Sequence, residues 1–309
     1  MIYTVTMNPS LDRTLRFPGL RIGELNRATE SRVDLSGKGV NVSMALRHFG
    51  LRSVMMGFVA GHSGRVFVEG LTQAGYLCDF TEVTGETRAN ITVIDDATGV
   101  TTKLNEPGPR VTEEDIAALE RRLTGCLSGG DLCILSGSLP QGAPADTYAR
   151  LIERLHGSGA HVALDTSGEA LRLGCAARPE MVKPNLVEAA ELLGRPLGED
   201  ADPRETLGAI LACGPRRALL SLGRRGAAYA ADGRLWLGRA PEIAEVNAVG
   251  AGDALLTGAL WAELQGLPPE EGLRWGVAAG TAAAMGQGSM MPELGLIRQV
   301  YEDVRVYPL

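Results

Sequence analysis

Hydrophobic and polar positions follow two rhythms along the chain. Residues 2–8 form a short β-prone run that stops at Asn8-Pro9, a turn signal. Residues 14–35 keep alternating apolar positions, broken by Gly19 and Gly23 and without a sustained 3.6-residue period, which predicts irregular strands outside the main sheet. Over 40–49 the pattern becomes helical and ends at Gly50, the residue type that favours a helix C-terminus. After a further β-α pair, residues 89–94 and 100–104 are β-prone, and Asp95-Asp96-Ala97-Thr98-Gly99 between them predicts a hairpin. The two inserts, 14–35 and 89–104, are candidates to pair into a small separate sheet.

From residue 112 onwards helix and strand patterns alternate. Helical residues 112–127 precede an apolar strand at 131–135, and 145–156 precede 161–164. A strand at 181–183 leads into a helix at 186–193, 218–222 is another apolar strand, and 227–237 reads as a hairpin around Asp232-Gly233. Helices at 251–265 and 270–285 are rich in alanine and glycine, which permits close packing. This alternation predicts an α/β fold, a doubly wound, mostly parallel sheet flanked by helices, as one domain over residues 1–309.

Composition narrows the classes of function. A net charge of −7 without any Lys/Arg-rich run excludes a nucleic-acid-binding face. No signal-peptide pattern opens the chain and no apolar stretch of about 18 residues occurs, so a cytoplasmic protein with no membrane partner is expected. Five cysteines without C-x-x-C spacing argue against a disulfide framework or a zinc site. His48, His62, His156 and His161 lack metal-ligand spacing and read as surface or helix-end residues. The 40 glycines exceed the usual share of about 7% and point to tight turns and backbone approaching a ligand. Of the 30 basic residues only Lys38, Lys103 and Lys183 are lysines, which marks them as places where a compact ammonium is wanted in an arginine-rich chain.

Two glycine-led helix starts carry the chemistry. Asn247-Ala248-Val249-Gly250-Ala251-Gly252-Asp253 runs straight into a helical pattern, so unpaired N–H groups and the helix dipole form an anion site there. A carboxylate in that turn either complements the dipole or accepts a proton from an attacking hydroxyl. Ser36-Gly37-Lys38-Gly39-Val40-Asn41 opens the earlier helix with glycine amides, an ammonium and a side-chain amide, and is not a Walker A loop. Asp165, at the end of an apolar strand, is either a nucleotide-side residue or a helix N-cap.

These two motifs resemble the paired signatures of the PfkB, or ribokinase-like, carbohydrate kinases. MIYTVTMNPSLD at the start, GETRAN at 85–90, SGSLP at 136–140, KPN at 183–185 and SLGRRG at 221–226 stand in the order found in the subgroup of 1-phosphofructokinases and tagatose-6-phosphate kinases. The resemblance implies a β-sheet lid built from the inserts at about 14–35 and 89–104, and a homodimer formed through that lid. It implies ATP and Mg²⁺, with Asp253 as catalytic base and Gly250, Ala251 and Gly252 as the anion hole. Asp12, Gly37, Lys38, Asn41, Arg88 and Asn90 correspond to substrate-binding positions, Arg88 and Asn90 reaching the substrate's own phosphate. Lys183, Asn185, Ser221, Gly223, Gly226 and Asn247 correspond to the nucleotide side, and Glu188 holds the metal through water. Asn247 stands where the wider family has aspartate, and Ser36 where it often has glycine.

The activity so implied is ATP-dependent phosphorylation of a ketohexose phosphate, fructose 1-phosphate first, with tagatose 6-phosphate as the alternative. A sugar-phosphate sensor that has lost catalysis is the non-enzymatic alternative. A dinucleotide oxidoreductase is disfavoured because the first strand runs into Asn8-Pro9-Ser10 and not into G-x-G-x-x-G.

Overall fold

The computed structural model describes residues 1–309 apart from Glu245, Asn247 and 287–289, so Asn247 lies outside the described residues. In chain order the elements are β1 (Ile2–Thr6), β2 (Ser10–Phe17), β3 (Glu30–Ser36), α1 (Lys38–His48), β4 (Val54–Ala60), α2 (Gly61–Gln73), β5 (Leu77–Val83), β6 (Arg88–Asp95), β7 (Thr101–Asn105), α3 (Glu113–Cys126), β8 (Leu132–Ser136) and α4 (Thr147–Gly157). They continue with β9 (His161–Asp165), α5 (Gly168–Ala176), β10 (Met181–Val182), α6 (Leu186–Leu193), α7 (Pro203–Ala212), β11 (Arg217–Ser221), β12 (Ala227–Ala231), β13 (Arg234–Arg239), α8 (Ala251–Leu264), α9 (Pro269–Ala284), α10 (Leu294–Asp303) and β14 (Arg305–Pro308).

The large sheet runs β14-β13-β12-β11-β10-β9-β8-β1-β4-β5. From β5 to β11 neighbouring strands are parallel, and β12 to β14 are added antiparallel at one edge. Strands buried on both faces read as continuous apolar runs, as Leu132–Ser136 does, because helices cover each side. Leu119 and Leu123 of α3, Tyr148 and Ile152 of α4, and Ile210 of α7 fill one face. Leu46 of α1, Leu256 of α8, Ala279 of α9 and Ile297 of α10 fill the other. Chain order reverses at β1, whose neighbours β4 and β8 lead away in opposite directions. Open α/β sheets bind ligands beyond the C-terminal strand ends at such a point.

The separate small sheet has the order β3-β2-β6-β7. Both inserts begin earlier than their patterns suggested, at Ser10 and Arg88, because β2 and β6 pair in parallel register over their whole length. Cross-strand partners share a face, so Asp12, Asp34 and Asn90 lie on one side while Leu11, Leu35, Val33, Ile91 and Leu104 lie on the other. β3 ends at Ser36 and passes directly into Gly37 and α1, which joins the small sheet to the large one.

Helix α1 is pressed against β1. The Val40 N–H donates to Thr6 Oγ1 at 3.1 Å, and Thr4, Ser43 and Ser53 form a buried chain of hydroxyls with 2.7 Å links. A Cβ on Gly39 would lie 2.6 Å from Thr6 Oγ1 and 3.1 Å from the Val5 carbonyl. Helices α8 and α9 touch backbone to backbone in the same way: a Cβ on Gly258 would stand 2.5 Å from the Trp275 carbonyl, and one on Gly276 would stand 2.7 Å from that of Leu255. Among the described residues no helix is long and apolar enough to cross a membrane.

Gly39→Ala should therefore lower the unfolding free energy by about 1–3 kcal/mol, the usual cost of overpacking. Gly125→Ala, in α3 with nothing near the added methyl, should raise it by up to about 1 kcal/mol through helix propensity. Denaturant titration of both variants checks the contrast.

Candidate active site

The two glycine-led helix starts meet at the C-terminal edge of the large sheet. Gly250 caps α8 in the left-handed conformation with φ 79°, so Asp253 falls in the first turn of the helix and is buried, with 6% of its surface exposed. Gly37 precedes α1, which places Lys38 first in that helix and Asn41 one turn on. Asn41 Nδ2 donates to Asp253 Oδ2 at 2.8 Å, joining residues 212 positions apart. The Ala251 N–H donates to the Ala248 carbonyl at 3.2 Å, so this amide already has one partner within the turn.

Asp165, at the end of β9, lies in the middle of the charged groups. Lys38 Nζ is 2.8 Å from its Oδ1, and Lys183 Nζ, just past β10, is 3.2 Å from its Oδ2. Lys38 also lies 3.5 Å from Glu188 Oε1. Two of the three lysines thus converge on one carboxylate, while Lys103 is exposed on β7. The N-cap of α5 is Ser167, so the helix-cap reading of Asp165 does not hold. Burial works against the charge on Asp165, but Lys183 and Lys38 keep its carboxyl below the usual carboxylate range. For Asp253 the balance is reversed: burial and the Asp165 charge push the carboxyl up, the Asn41 hydrogen bond and both lysines pull it part of the way back, and it stands at about 6.

Glu188 and Asn185 form a capping box at the start of α6. The Glu188 N–H donates to Asn185 Oδ1 at 2.8 Å and the Asn185 N–H to Glu188 Oε2 at 2.9 Å. The Ser221 N–H donates to the Pro184 carbonyl at 3.0 Å, which lays the 221–226 turn beside this segment. Gly226 has φ 96°, and a Cβ there would lie 2.1 Å from the Gly238 carbonyl, so strand packing alone requires glycine. Gly223, with φ 61°, has open space around it.

On the small sheet, Asp12 Oδ1 accepts from Ser10 Oγ at 2.6 Å and from Asn90 Nδ2 at 2.9 Å. Arg88 Nη1 reaches the Glu106 carbonyl at 3.4 Å, while its Nε is buried without a partner. Burial lowers the Arg88 proton affinity and nearby Asp12 offsets this. Glu86, two residues before Arg88, accepts the His62 and Ser63 N–H groups at the start of α2, at 3.1 and 2.9 Å. Buried polar atoms without a partner gather along this edge: Asn8 Oδ1, Asn41 Oδ1, Asn90 Oδ1 and Ser136 Oγ join Arg88 Nε. Such atoms cost free energy unless a ligand completes them. Asn8 and Ser136 stand in the MIYTVTMNPSLD and SGSLP motifs but were given no site role from sequence, although each ends or follows a strand bordering the reversal of chain order.

The chain is similar to known carbohydrate kinases along nearly its whole length. The model of the pfkB family carbohydrate kinases matches residues 5–293. The 1-phosphofructokinase of Bacillus subtilis is 34% identical over 99% of each chain, and that of Rhodobacter capsulatus is 35% identical over 94% of this chain and 92% of its own. Phosphofructokinase-2 from Escherichia coli, solved in complex with fructose-6-phosphate, superposes with a TM-score of 0.90 at 28% identity over 98% of both chains. Another structure of that enzyme is its tetrameric inhibited form.

A raised buried carboxyl affects stability as well as chemistry. The folded state binds the Asp253 proton more tightly than the unfolded chain, so its stabilising contribution is complete at low pH and is lost as pH rises from about 4 through about 6. Asp253→Asn removes that dependence. The unfolding free energy of the variant relative to the parent should therefore rise by about 2 kcal/mol between about pH 4.5 and 8, measured by denaturant titration at each pH.

Proposed function

The chain belongs to the pfkB family of carbohydrate kinases, and on that premise we propose that it transfers the γ-phosphoryl group of ATP to a ketohexose phosphate, converting fructose 1-phosphate to fructose 1,6-bisphosphate. The observation that carries this reading is the Asn41–Asp253 contact between two helix N-termini, which holds a carboxylate of raised proton affinity beside an anion site. The names of the Bacillus and Rhodobacter relatives support fructose 1-phosphate as acceptor.

In this mechanism Asn41 occupies Oδ2 of Asp253 and leaves Oδ1 to the acceptor hydroxyl. The hydroxyl gives its proton to Asp253 as its oxygen bonds to the γ-phosphorus in line, and the bond from that phosphorus to ADP breaks. The Gly250–Ala251–Gly252 turn would meet the charge developing on the transferred group through the Gly250 and Gly252 amides, the Ala251 N–H being donated already to the Ala248 carbonyl. Asp12, Asn90, Gly37 and Asn41 hold the sugar, with Arg88 on its phosphate and Lys38 at the reacting end of the substrate, where it meets Asp165 and Glu188. Lys183, Asn185, Ser221, Gly223, Gly226 and Asn247 form the nucleotide side.

Mg²⁺ fits the donor set as an ion brought in on the ATP phosphates. Among the described residues no three His, Cys, Asp or Glu side chains gather to hold a metal, and Glu188 offers one carboxylate beside Lys38 and at the edge of the nucleotide side. That suits a cation which keeps most of its water. Mg²⁺ would neutralise phosphate charge, with Glu188 holding its water shell.

Residues 10–36 and 88–105 act as a lid in this reading, closing over the sugar to exclude water. Their apolar face leaves Val33 and Leu104 each 54% exposed, which supports a homodimer formed through the lids.

A panel of fructose 1-phosphate, tagatose 6-phosphate, fructose 6-phosphate and free sugars, with products located by phosphorus NMR, tests the assignment; preference for an unphosphorylated sugar would overturn it. Arg88→Ala should raise KM for the phosphorylated sugar roughly 10- to 150-fold, the scale of one hydrogen bond to a charged group, and leave the weak activity on free sugar nearly unchanged. Glu188→Gln keeps the capping acceptor but loses the charge, so it should raise the Mg²⁺ concentration for half-maximal rate with little effect on sugar KM.

A further inference from the structure

Building on the kinase reading, we propose that Asp165 is a positioning residue for phosphoryl transfer: its carboxylate clamps Lys38 and Lys183, one on each oxygen, and fixes both ammonium groups beside Asp253 and the start of α8. The sequence left this residue undecided, and the mechanism above gives it no task.

The geometry supports a clamp. Asp165 is wholly buried; Lys38 Nζ donates to its Oδ1 at 2.8 Å, and Lys183 Nζ stands 3.2 Å from its Oδ2 as an ion pair outside hydrogen-bond geometry. Those lysines come from different parts of the fold: Lys38 opens α1, and Lys183 follows β10. Lys183 is 5% exposed and, among the described residues, has no other ion pair. Its Nζ lies only 3.2 Å from where a Cβ on Gly252 would stand, so it is held directly against the anion-hole turn. Lys38 reaches Glu188 on its far side at 3.5 Å. One carboxylate therefore sets the positions of two cations between the base and the metal-side carboxylate.

The backbone around Asp165 is braced to hold it there. The Gly137 N–H donates to the Asp165 carbonyl at 2.9 Å, Thr166 Oγ1 donates to the Gly137 carbonyl at 2.9 Å, and the buried Tyr148 hydroxyl donates to the carbonyls of Ser136 and Gly137 at 3.1 and 3.0 Å.

Stability alone does not call for such an arrangement, since well-packed apolar residues replace buried ion pairs without loss in many proteins. Two long flexible side chains directed at a phosphoryl group would otherwise lose rotamer freedom on each turnover, and a preformed clamp removes that cost before substrate arrives. The charge of Asp165 is thus spent on preorganisation, and its removal should act on kcat more than on sugar binding.

The test uses the full chain, whose three lysines give three resolved signals when lysine is labelled with ¹³C at Cε. In the parent protein the two Cε protons of Lys38 and of Lys183 should each have distinct shifts, as in an immobilised side chain, while those of Lys103 average. Asp165→Asn should collapse the Lys38 pair to one averaged shift, lower kcat at least tenfold and move the KM for fructose 1-phosphate less than threefold. Lysine signals unchanged from the parent, or kcat within threefold of it, would overturn the proposal. If Asp165→Asn does not fold, judged by circular dichroism, Asp165→Glu takes its place: displacing the charge by one methylene should still reduce kcat at least tenfold at near-parental KM, and parental kcat would overturn the clamp. The lysine signals report on the clamp whichever sugar is the substrate, so failure of the substrate assignment and failure of this proposal are told apart.

Discussion

The burial of one carboxylate at the junction of two helix N-termini is the constraint on which the rest of the structure depends. Asp253 is enclosed, carries a raised proton affinity and is held by an amide 212 positions away in the chain. For that contact to exist α1 must lie tight on β1, which is why Gly39 leaves no room for a methyl beside Thr6. Helix α8 must equally lie tight on α9, which accounts for Gly258 and Gly276 at backbone contact. The alanine- and glycine-rich C-terminal third is thus a packing requirement of the site as much as of the core.

Charge is arranged outward from that point. Asp165 carries its charge because two lysines face it, and that charge in turn holds the Asp253 carboxyl up. A carboxyl near neutrality is suited to accept a proton and later release it, whereas an ordinary surface aspartate is a weaker base. Two groups of the same chemical type therefore differ in behaviour because one has cationic partners and the other mainly burial. The electrostatics and the fold are inseparable here: β9 and β10 must be neighbours before Lys183 can reach Asp165.

Much of this was legible in the sequence. The strands that line the site stand out as apolar runs, and both glycine-led helix starts fall where the helices begin. The helices α5, α7 and α10 and the edge strand β14 were not read from the sequence. The parallel pairing of β2 with β6 was beyond the reach of local pattern, since register between segments some 80 residues apart is set by the sheet. The same limit applies to chemistry. Asp253, Lys38 and Asn41 stand in motifs and were visible; the lysine pair on Asp165 depends on strand order, and Gly226 owes its identity to a carbonyl on a neighbouring strand.

The central claim is that Asp253 removes the proton from the acceptor hydroxyl. The pH dependence of kcat/KM for fructose 1-phosphate, measured on the parent and on Asp253→Asn, tests it most directly. Because the carboxylate is the active form, the parent should lose activity tenfold per pH unit below about 6, and the variant should be slower by roughly 10²–10⁴ at neutral pH with that acidic limb gone. A variant within threefold of the parent, or one that keeps the same acidic limb, would contradict the account.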